Sequence, residues 1–458
     1  MTSINPVLAS LFILITVVVT SIVTQSNRWK VLLATCLLFY YLLIGDKIIV
    51  VLILSLIVYT FSHMIHSGKN VAWISVALLL IPLLVFKSIS DGNHFDNYQT
   101  LDISTNNWLS FFQILGLSYF TFNSISYLVD IKRKYISPEK NFFFLLLYLT
   151  YFPAVFSGPL HRAKYLFQEF KNIEVTDQSI ATGLRLMLWG LFKNVVIAQR
   201  IFILMRQFQH SEIGGVYYLL VGLLFFLYLY CNFSSFIDFF QGVSQILNIR
   251  LKDNFRNRVY FSASRQEFWK GWHITLNQWF RDYFFYVISG YDKKRRYTDL
   301  LLLITFPLIA LWHGFSTVMV VWGLLNGLWI VTEKKFDFEK WKYASFRKVA
   351  GVVYHLSIAT LLALIFISPK PGFLYQKVIV QPSQLPANFI AQYLPSTLII
   401  LVCLGIMDYH YAKAKDASFG EYLDKKPQFL RWLIYFKLVM IILIFGKSAG
   451  VENYYIQF

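Results

Sequence analysis

Two histidines stand in unusual surroundings for so apolar a chain. His273 lies in EFWKGWHITLNQWFRDYFFY, which mixes charged and aromatic side chains, and His313 lies 40 residues later in the apolar stretch LIALWHGF. Ionisable side chains are costly inside a membrane and are usually kept there for a function. Burial favours the neutral imidazole, the form that a general base requires. The structural alternative for His313 is a core histidine bonded to a neighbouring carbonyl.

The polar stretch around His273 predicts a helix with two different sides. On one continuous helix over Glu267–Tyr286, His273, Asn277 and Arg281 are spaced four residues apart and share a side. An apolar stripe lies next to them, formed by Trp272, Leu276, Trp279 and Tyr283. The wider segment 252–286 is too polar for a span and too aromatic for a loop. We expect an interfacial helix, or a re-entrant element that presents polar groups to a cavity.

Three further polar sites have structural and functional interpretations. Asp238, in the apolar stretch SSFIDFF, either pairs with a buried arginine between helices or lines a channel. Arg281 and Asp282 predict a local ion pair that braces the segment. At Pro159–Arg162 a helix should end at the interface, where anchoring is the default expectation and donor recognition the alternative.

Composition places the chain in a bilayer. Of 458 residues, 57% are hydrophobic and 14% charged, and the mean hydropathy is +0.53. A spanning helix needs roughly 20 mostly apolar residues, and such runs recur throughout. The predicted fold is an all-α polytopic membrane protein of about 11 transmembrane helices around a central channel, with interfacial or re-entrant helices. The candidate runs are 8–24, 31–58, 71–89, 109–129, 141–157, 180–199, 216–240, 299–312, 315–332, 351–368, 395–412 and 430–446, of which 31–58 and 216–240 could each be one helix or two.

The net charge of +18 does not indicate nucleic-acid binding. The basic residues cluster in short connections between apolar runs rather than along one soluble face. Such clusters are typical of the cytoplasmic side of membrane proteins and attract the headgroups of anionic membrane lipid. Docking of an acidic carrier or a nucleotide-bearing donor is the alternative. The clusters are Lys132-Arg133-Lys134, Lys293-Lys294-Arg295-Arg296, Lys334-Lys335 and Lys425-Lys426.

The remaining features predict one integral membrane domain over 1–458. We expect the first apolar run to stay as a helix, because no small-residue cleavage site follows it. The three cysteines, Cys36, Cys231 and Cys403, lie in apolar runs and predict buried free thiols. We expect no metal, since no third ligand stands near the two histidines at ligand spacing.

These motifs resemble a known family. FWKGWHITLNQWFRDYFFY followed by LWHG is similar to the paired signature of the membrane-bound O-acyltransferases, in which FW, a basic position, WH and WFRDY precede a histidine in an LWHG setting. The resemblance is densest over 109–332 and is nearest to the bacterial branch of the alginate O-acetylation membrane protein. Further stretches agree in order: LGLSYFTFNSISYLVDIKR (115–133), YFPAVFSGPLHR (151–162), KNVVIAQR (193–200) and FSSFIDFFQGVSQILNIRLKDNF (233–255).

Two departures from the family pattern concern the site. The usual PLGG after WFRDY corresponds to Val287–Gly290, which leaves the shape of that loop open. Where the family often has an aromatic-histidine pair after the LWHG helix, this chain has Leu325-Asn326-Gly327, so a third histidine is missing. Any essential pair here is therefore His273 and His313.

The resemblance implies acyl transfer across the membrane. A thioester donor would approach from the cytosol and an acceptor hydroxyl from the outer face, and the two would meet in a buried channel. His313 would be the general base. His273, with Asn277, would orient the acyl carbonyl or stabilise the developing charge. Trp272, Arg281 and Asp238 are the other candidates for substrate binding.

The predicted function is that of an O-acetyltransferase in the bacterial inner membrane. It would use acetyl-CoA or another acyl thioester, with no bound cofactor, and a polysaccharide or other glycan as acceptor. A periplasmic or cell-surface acetyltransferase could complete the transfer. The alternative within this chemistry is D-alanyl transfer from a carrier protein to teichoic acid. The alternative from another class is a polytopic transporter or scaffold, since such proteins also bury histidines.

Overall fold

The apolar runs fold into α-helices in the computed structural model of the chain. The structure describes residues 6–89, 116–155, 158–211, 213–290, 297–336, 345–383, 385, 388–415 and 417–447. No β-strand occurs among these residues. The chain is therefore an all-α polytopic membrane protein, as the composition predicts.

The first half of the chain packs long apolar helices against several short ones. Gly45, with φ of 56°, turns the chain between the second and third helices, and a π-helical turn over Phe192–Ala198 joins the ninth to the tenth. The helices are α1 (Pro6–Ile22), α2 (Arg28–Ile44), α3 (Ile48–His66), α4 (Ala72–Ile89), α5 (Leu117–Lys132), α6 (Phe142–Thr150), α7 (Phe152–Val155), α8 (Ala163–Lys171), α9 (Asp177–Leu191) and α10 (Gln199–His210).

The second half begins with the longest described helix and then breaks into short elements around the polar stretch. A π-helical turn over Arg281–Phe285 lies within this stretch. The helices are α11 (Leu219–Ile246), α12 (Arg265–Gly271), α13 (Ile274–Phe280), α14 (Tyr286–Ser289), α15 (Thr298–His313), α16 (Thr317–Lys335), α17 (Ser345–Ile367), α18 (Phe389–Ala414), α19 (Phe419–Asp424) and α20 (Gln428–Phe445).

Six segments of the described chain are long and apolar enough to cross a membrane. Three shorter apolar helices, Phe12–Ile22, Ala72–Val85 and Thr298–His313, accompany them. The predicted total of about 11 crossings stays a prediction. The six segments are Gln25–His66, Asp177–Gln209, Gly215–Ile246, Lys348–Ile367, Ala391–Ala414 and Gln428–Phe445.

The two ambiguous apolar runs resolve differently. Run 31–58 is a hairpin of α2 and α3, because the start of α2 and the end of α3 both reach the start of α6. Ring centroids lie 5.3 Å apart for Trp29 and Phe144, and 5.6 Å apart for Tyr59 and Phe142. Run 216–240 forms part of the single helix α11.

The prediction of one spanning helix over 141–157 is wrong. The chain leaves the helical conformation at Tyr151, so α6 has only nine residues, and α7 restarts with Pro153 in its first turn. Proline lacks the N–H that a continuous helix would need there. A helix of nine residues is about 14 Å long, too short to cross the hydrocarbon core. Residues 109–115, 156–157 and the basic cluster 293–296 lie outside the described residues.

Basic residues gather at one end of the helices. Arg133 donates to the backbone oxygen of Asp282 at 3.2 Å, and the Asp282 carboxylate lies 2.6 Å from Arg162 at the start of α8. Farther along α8, the Glu169 carboxylate accepts a hydrogen bond from the backbone N–H of Arg250 at 2.8 Å. The neighbouring Asn257 amide donates to the carbonyl of Lys415 at 2.6 Å. This basic end has the composition that is typical of the cytoplasmic side.

Helices α9 and α11 pack closely because glycines meet at their crossing. A Cβ atom on Gly242 would lie 2.6 Å from the backbone oxygen of Gly183 and 2.6 Å from the Met187 side chain. A Cβ atom on Gly183 would in turn lie 2.5 Å from the oxygen of Gly242. Small residues allow such backbone approach between membrane helices. This contact holds α11, which contributes to the candidate site, against α9.

Gly242→Val should destabilise the fold. Valine would push α9 away from α11, and overpacking of this kind costs about 1–3 kcal/mol. Gly405→Val on α18 is the matched control, because no atom outside its own helix lies within 4 Å of a Cβ placed there. Thermal unfolding of the detergent-purified variants measures the difference. Equal melting temperatures for the two variants would contradict the close crossing.

Candidate active site

His273 lies at a break between two short helices. The prediction of one continuous helix over Glu267–Tyr286 is wrong, because α12 ends at Gly271 and α13 starts at Ile274. His273 adopts φ of 45° and ψ of 52°, a left-handed conformation that costs an L-residue about 1–2 kcal/mol. Such strain is common at functional sites, where the surrounding structure holds it in place.

The preceding loop holds this break by backbone hydrogen bonds. The Ile274 N–H donates to the Asn254 carbonyl at 2.9 Å, and the Arg256 N–H donates to the Gly271 carbonyl at 2.9 Å. Backbone that leaves a helix inside a membrane protein needs such partners, since lipid offers none. His273 is only 2% exposed, so the break itself lies inside the protein, whereas the side chain of Arg281, farther along the polar segment, is 52% exposed.

Asn254 determines the tautomer of His273. Its Oδ1 accepts the Thr275 N–H at 3.1 Å and the Thr275 hydroxyl at 2.8 Å, which fixes the orientation of the amide. The same oxygen lies 3.3 Å from His273 Nδ1, so Nδ1 carries the proton and donates. Nε2 of neutral His273 therefore presents a lone pair, and no described residue bonds to it. Burial lowers the pKa of His273 to about 3, which keeps the ring neutral.

His313 is the last residue of α15 and is 6% exposed. Its ring packs among aromatic side chains, with centroids 4.5 Å from Trp312, 5.4 Å from Phe366 and 6.3 Å from Trp322. Trp312 also lies between the two histidines, 5.9 Å from the ring of His273. The tertiary structure thus brings together the two histidines that the sequence singled out.

Both histidines line one small cavity, here called the histidine cavity, of about 50 Å³. Trp272, a predicted substrate-binding residue, also lines it. Arg265 contributes a guanidinium to a wall that is otherwise apolar apart from the histidines. The other side chains are Phe225, Phe226, Leu229, Phe268, Trp269, Leu276, Ile309, Trp322, Ala359, Leu362, Ala363 and Phe366.

A second cavity of about 400 Å³, here called the polar cavity, lies toward the basic end. Asn254 lines it and also bonds to His273, so the two cavities share a wall. Its lining includes Asp238, which the sequence singled out, and the loop residues Arg256 and Asn257. A third, apolar cavity of about 820 Å³ lies beyond Trp312.

Asp238 lines a cavity, and the predicted pairing of its carboxylate with an arginine is wrong. Its carboxylate lies 2.7 Å from Lys193 Nζ, not from an arginine, and it lines the polar cavity. Lys193 also donates to Ser234 at 2.9 Å and to Tyr411 at 3.1 Å. A buried lysine needs this many partners, because an unpaired charge in the interior is costly.

The two other predicted substrate-binding residues have structural contacts. The Asn277 amide donates to the carbonyls of Trp269 and Trp272, at 2.9 and 2.6 Å, which stabilises the end of α12. Arg281 lies 2.9 Å from Asp282, as the expected local ion pair. Neither residue is among those lining the histidine cavity. A direct contact of either with substrate stays a prediction.

His161 ties the Pro159–Arg162 segment to the site loop. Its Nδ1 lies 2.6 Å from the Pro159 carbonyl, and its Nε2 accepts the Lys252 N–H at 2.9 Å. This bonding supports the anchoring interpretation.

Among the described residues, no group of three His, Cys, Asp or Glu side chains is placed to hold a metal ion. Cys36, Cys231 and Cys403 are buried and free, as predicted.

Two functional candidates, Arg265 and Asn254, and the ion-pair partner Lys193 escaped the sequence analysis. Arg265 and Asn254 lie just upstream of the motif, where they resemble ordinary loop residues. Lys193 was visible as a charge within the apolar run 180–199, which is a signal for a buried partner.

The membrane-bound O-acyltransferase family model matches residues 55–345, more than half of the chain. The chain belongs to this family. The match includes both histidines and every element that lines the histidine cavity up to α16.

Individual relatives have related activities in their names. A probable alginate O-acetylase AlgI from Pseudomonas putida is 30% identical over 52% of this chain and 51% of its own length. A peptidoglycan O-acetyltransferase from Helicobacter pylori is 26% identical over 69% of this chain and 66% of its own. A teichoic acid D-alanyltransferase from Bacillus subtilis is 26% identical over 50% of this chain and 60% of its own. The chain spans about half the length of the alginate O-acetylases it matches.

Asn254→Asp should shift the pH dependence of acyl transfer. An aspartate still accepts from Nδ1, but its negative charge stabilises the imidazolium and so raises the pKa of His273. If neutral His273 is needed, the acid limb of the kcat/KM profile moves to higher pH. Asn254→Ala loses the acceptor and should lower kcat by about 10- to 100-fold, within the contribution of acid–base catalysis.

The control for the two Asn254 variants is Asn172→Ala, which lies outside the site. Within the described part of the chain, the Asn172 amide donates to the Gln168 carbonyl of its own helix, at the exposed end of α8. An unshifted acid limb in Asn254→Asp, with full activity of Asn254→Ala, would show that the Asn254 contact has no part in the reaction.

Proposed function

We propose that this protein is an O-acetyltransferase of the bacterial inner membrane. It moves an acetyl group from a cytosolic thioester, with acetyl-CoA as the donor, to a hydroxyl of an extracytoplasmic polysaccharide or to a partner transferase. The observation that carries the proposal is the meeting of His273 and His313 on one buried cavity, in a chain of the O-acyltransferase family.

The polar cavity supports a donor route from the basic end. Asn254 lines the polar cavity and bonds to His273, which lines the histidine cavity, so a donor arm that enters through the polar cavity would end close to His273. The polar cavity offers amide and hydroxyl groups, from Asn254, Asn257 and Tyr411, that suit the amides of a thioester arm. Basic residues at this end favour a donor that carries phosphate.

His313 is the proposed general base. It takes the proton of the acceptor hydroxyl while the hydroxyl oxygen attacks the thioester carbon. The tetrahedral intermediate then collapses, the C–S bond breaks, and the thiolate recovers a proton from the imidazolium. The products are an ester and a thiol. His273, whose Nε2 can only accept while the ring is neutral, supports this proton movement.

The burial of the site protects the activated acyl group. His313 is 6% exposed and His273 is 2% exposed, and aromatic rings enclose both. Exclusion of water prevents simple hydrolysis of the thioester and strengthens electrostatic interactions within the site.

The lining of the histidine cavity favours acetyl over D-alanyl transfer. A D-alanyl group carries an ammonium at neutral pH, and the Arg265 guanidinium lines the same small cavity. Two like charges repel strongly in a low-dielectric interior. An acetyl group is uncharged and suits the apolar wall.

The class of acceptor is inferred from the activities in the names of the relatives rather than from the lining of the histidine cavity. The relatives are named for action on alginate, peptidoglycan and teichoic acid. We infer a polysaccharide acceptor for this chain, reached directly or through a periplasmic or cell-surface partner.

His313→Ala should abolish acetyl transfer. Protein in liposomes receives radiolabelled acetyl-CoA on the cytoplasmic side, with an envelope polysaccharide as acceptor, and label on the acceptor or on the protein is counted. Loss of a general base lowers the rate by about 10²–10⁴-fold. His410→Ala is the matched control, because His410 is also buried but lies outside the histidine cavity.

The outcomes separate the alternatives. Full transfer by His313→Ala would overturn the mechanism. If the wild type uses a D-alanyl carrier protein but not acetyl-CoA, the donor assignment is wrong. Acyl transfer that survives replacement of both histidines would place the chemistry on other residues, and a wild type that transfers from neither donor would favour a transporter or scaffold.

The wild type should also discriminate between acyl groups. With matched thioesters, transfer of acetyl should exceed transfer of D-alanyl because of the charge on Arg265. In Arg265→Met the apolar side chain removes the repulsion, so the ratio of the two rates should fall. An unchanged ratio would show that Arg265 does not set this preference.

A further inference from the structure

Arg265 carries a buried charge beside the two histidines. The residue is 2% exposed and lines the histidine cavity. Burial lowers the pKa of Arg265 to about 9, which still leaves the guanidinium charged at neutral pH. Burying such a charge costs several kcal/mol unless it is paired.

The contacts of this guanidinium use only part of its hydrogen-bonding capacity. Nη2 donates to Oδ1 of Asn326 at 2.7 Å. Nε and Nη1, which together carry three N–H bonds, have no hydrogen-bond partner among the described residues. The nearby Glu333 carboxylate accepts the backbone N–H groups of Arg265 and Gln266, at 2.8 and 3.0 Å. Within the described ranges, the N–H donors at Nε and Nη1 of this buried cation are therefore unused.

The position of Arg265 is fixed rather than adaptable. Asn326 also accepts from the Trp269 indole at 3.2 Å and donates to the Trp322 carbonyl at 2.8 Å. The guanidinium carbon lies 4.4 Å from the ring centroid of Phe268, a cation–π contact. A hydrogen-bond donor that is held in place before the reaction needs little reorganisation free energy when charge develops on the substrate.

The proposed reaction needs such a donor. Attack on a thioester moves the carbonyl π electrons onto oxygen, and this oxyanion requires N–H groups or a cation. Neutral His273 cannot supply an N–H at Nε2, because its proton sits on Nδ1 and bonds to Asn254. His313, acting as base, gains its proton from the hydroxyl in the same step. Arg265 is the ionised side chain among the residues that line the histidine cavity.

We propose that Arg265 is a catalytic residue that stabilises the oxyanion of the tetrahedral intermediate. This inference rests on the proposed acyl transfer. The hydroxyl oxygen bonds to the acyl carbon, its proton moves to His313, and the carbonyl electron pair becomes the oxyanion that Arg265 binds. When the pair returns, the C–S bond breaks and the thiolate leaves with the proton. Arg265 exchanges no proton.

Arg265→Ala tests the proposal. Removing one oxyanion donor lowers kcat by about 10²–10³-fold, while KM should change by less than about threefold, because the interaction exists only after attack. Added methylguanidinium should restore part of kcat, since the deleted side chain leaves a space for it. Arg265→Lys should retain part of the activity, because it keeps the charge but not the fixed geometry.

Arg258→Ala is the matched control. Arg258 pairs with Asp408 near the protein surface, at 2.8 Å, and does not line the histidine cavity. It should keep the wild-type kcat and should not respond to methylguanidinium. Thermal unfolding of each variant separates loss of catalysis from loss of folded protein.

Three outcomes would overturn the proposal. The first is a folded Arg265→Ala with wild-type kcat. The second is a lowered kcat that methylguanidinium does not raise in a folded variant. The third is loss of transfer only from a succinyl thioester, with acetyl transfer intact, which would make Arg265 a ligand for a carboxylate on the acyl group. An inactive wild type would instead count against the proposed function.

Discussion

The candidate site depends on how one broken segment of backbone is satisfied inside a membrane protein. Between α12 and α13 the chain leaves the helical conformation, and lipid cannot replace the lost hydrogen bonds. The loop at Asn254 and Arg256 supplies them through its own backbone. The same loop also delivers the Asn254 side chain to His273. One local constraint therefore places the imidazole, holds its strained backbone and selects its tautomer.

A second constraint is the cost of charge in this interior. Lys193 and Arg265, the two buried cations near the site, differ in how far neighbouring groups compensate their charge. Lys193 pairs with Asp238 and has two hydroxyl partners, so its charge is largely compensated. Among the described residues, the Arg265 guanidinium donates to one neutral amide and lies near the Glu333 carboxylate, but its Nε and Nη1 have no hydrogen-bond partner. The first arrangement suits a structural ion pair beside the polar cavity, and the second suits a group that meets charge during a reaction.

Much of the fold and the central pair of site residues followed from the sequence. The apolar runs predicted most of the long helices within a few residues, and the surroundings of His273 and His313 singled out two side chains that share a cavity. The prediction of a continuous helix over Glu267–Tyr286 is wrong because the periodicity of the sequence carries no information about backbone hydrogen bonds from the distant 254–256 loop. The partner of Asp238 was misassigned as arginine, since pairing across α9 and α11 depends on their crossing.

The sequence by itself determined that the chain lies in a lipid bilayer, that it is helical, which family it resembles and that His273 and His313 are the candidate site residues. These conclusions depend on composition and on residues close together in the chain. Only the tertiary structure decided which groups meet at the site. Asn254 and Arg265 are unremarkable along the chain, and Asn326 stood out only as the position of a missing third histidine. In the structure Asn254 bonds to His273, Arg265 lines the histidine cavity and Asn326 accepts a hydrogen bond from Arg265. Hydrogen bonding acts over a few ångströms, so only the packing of distant segments could assign these partners.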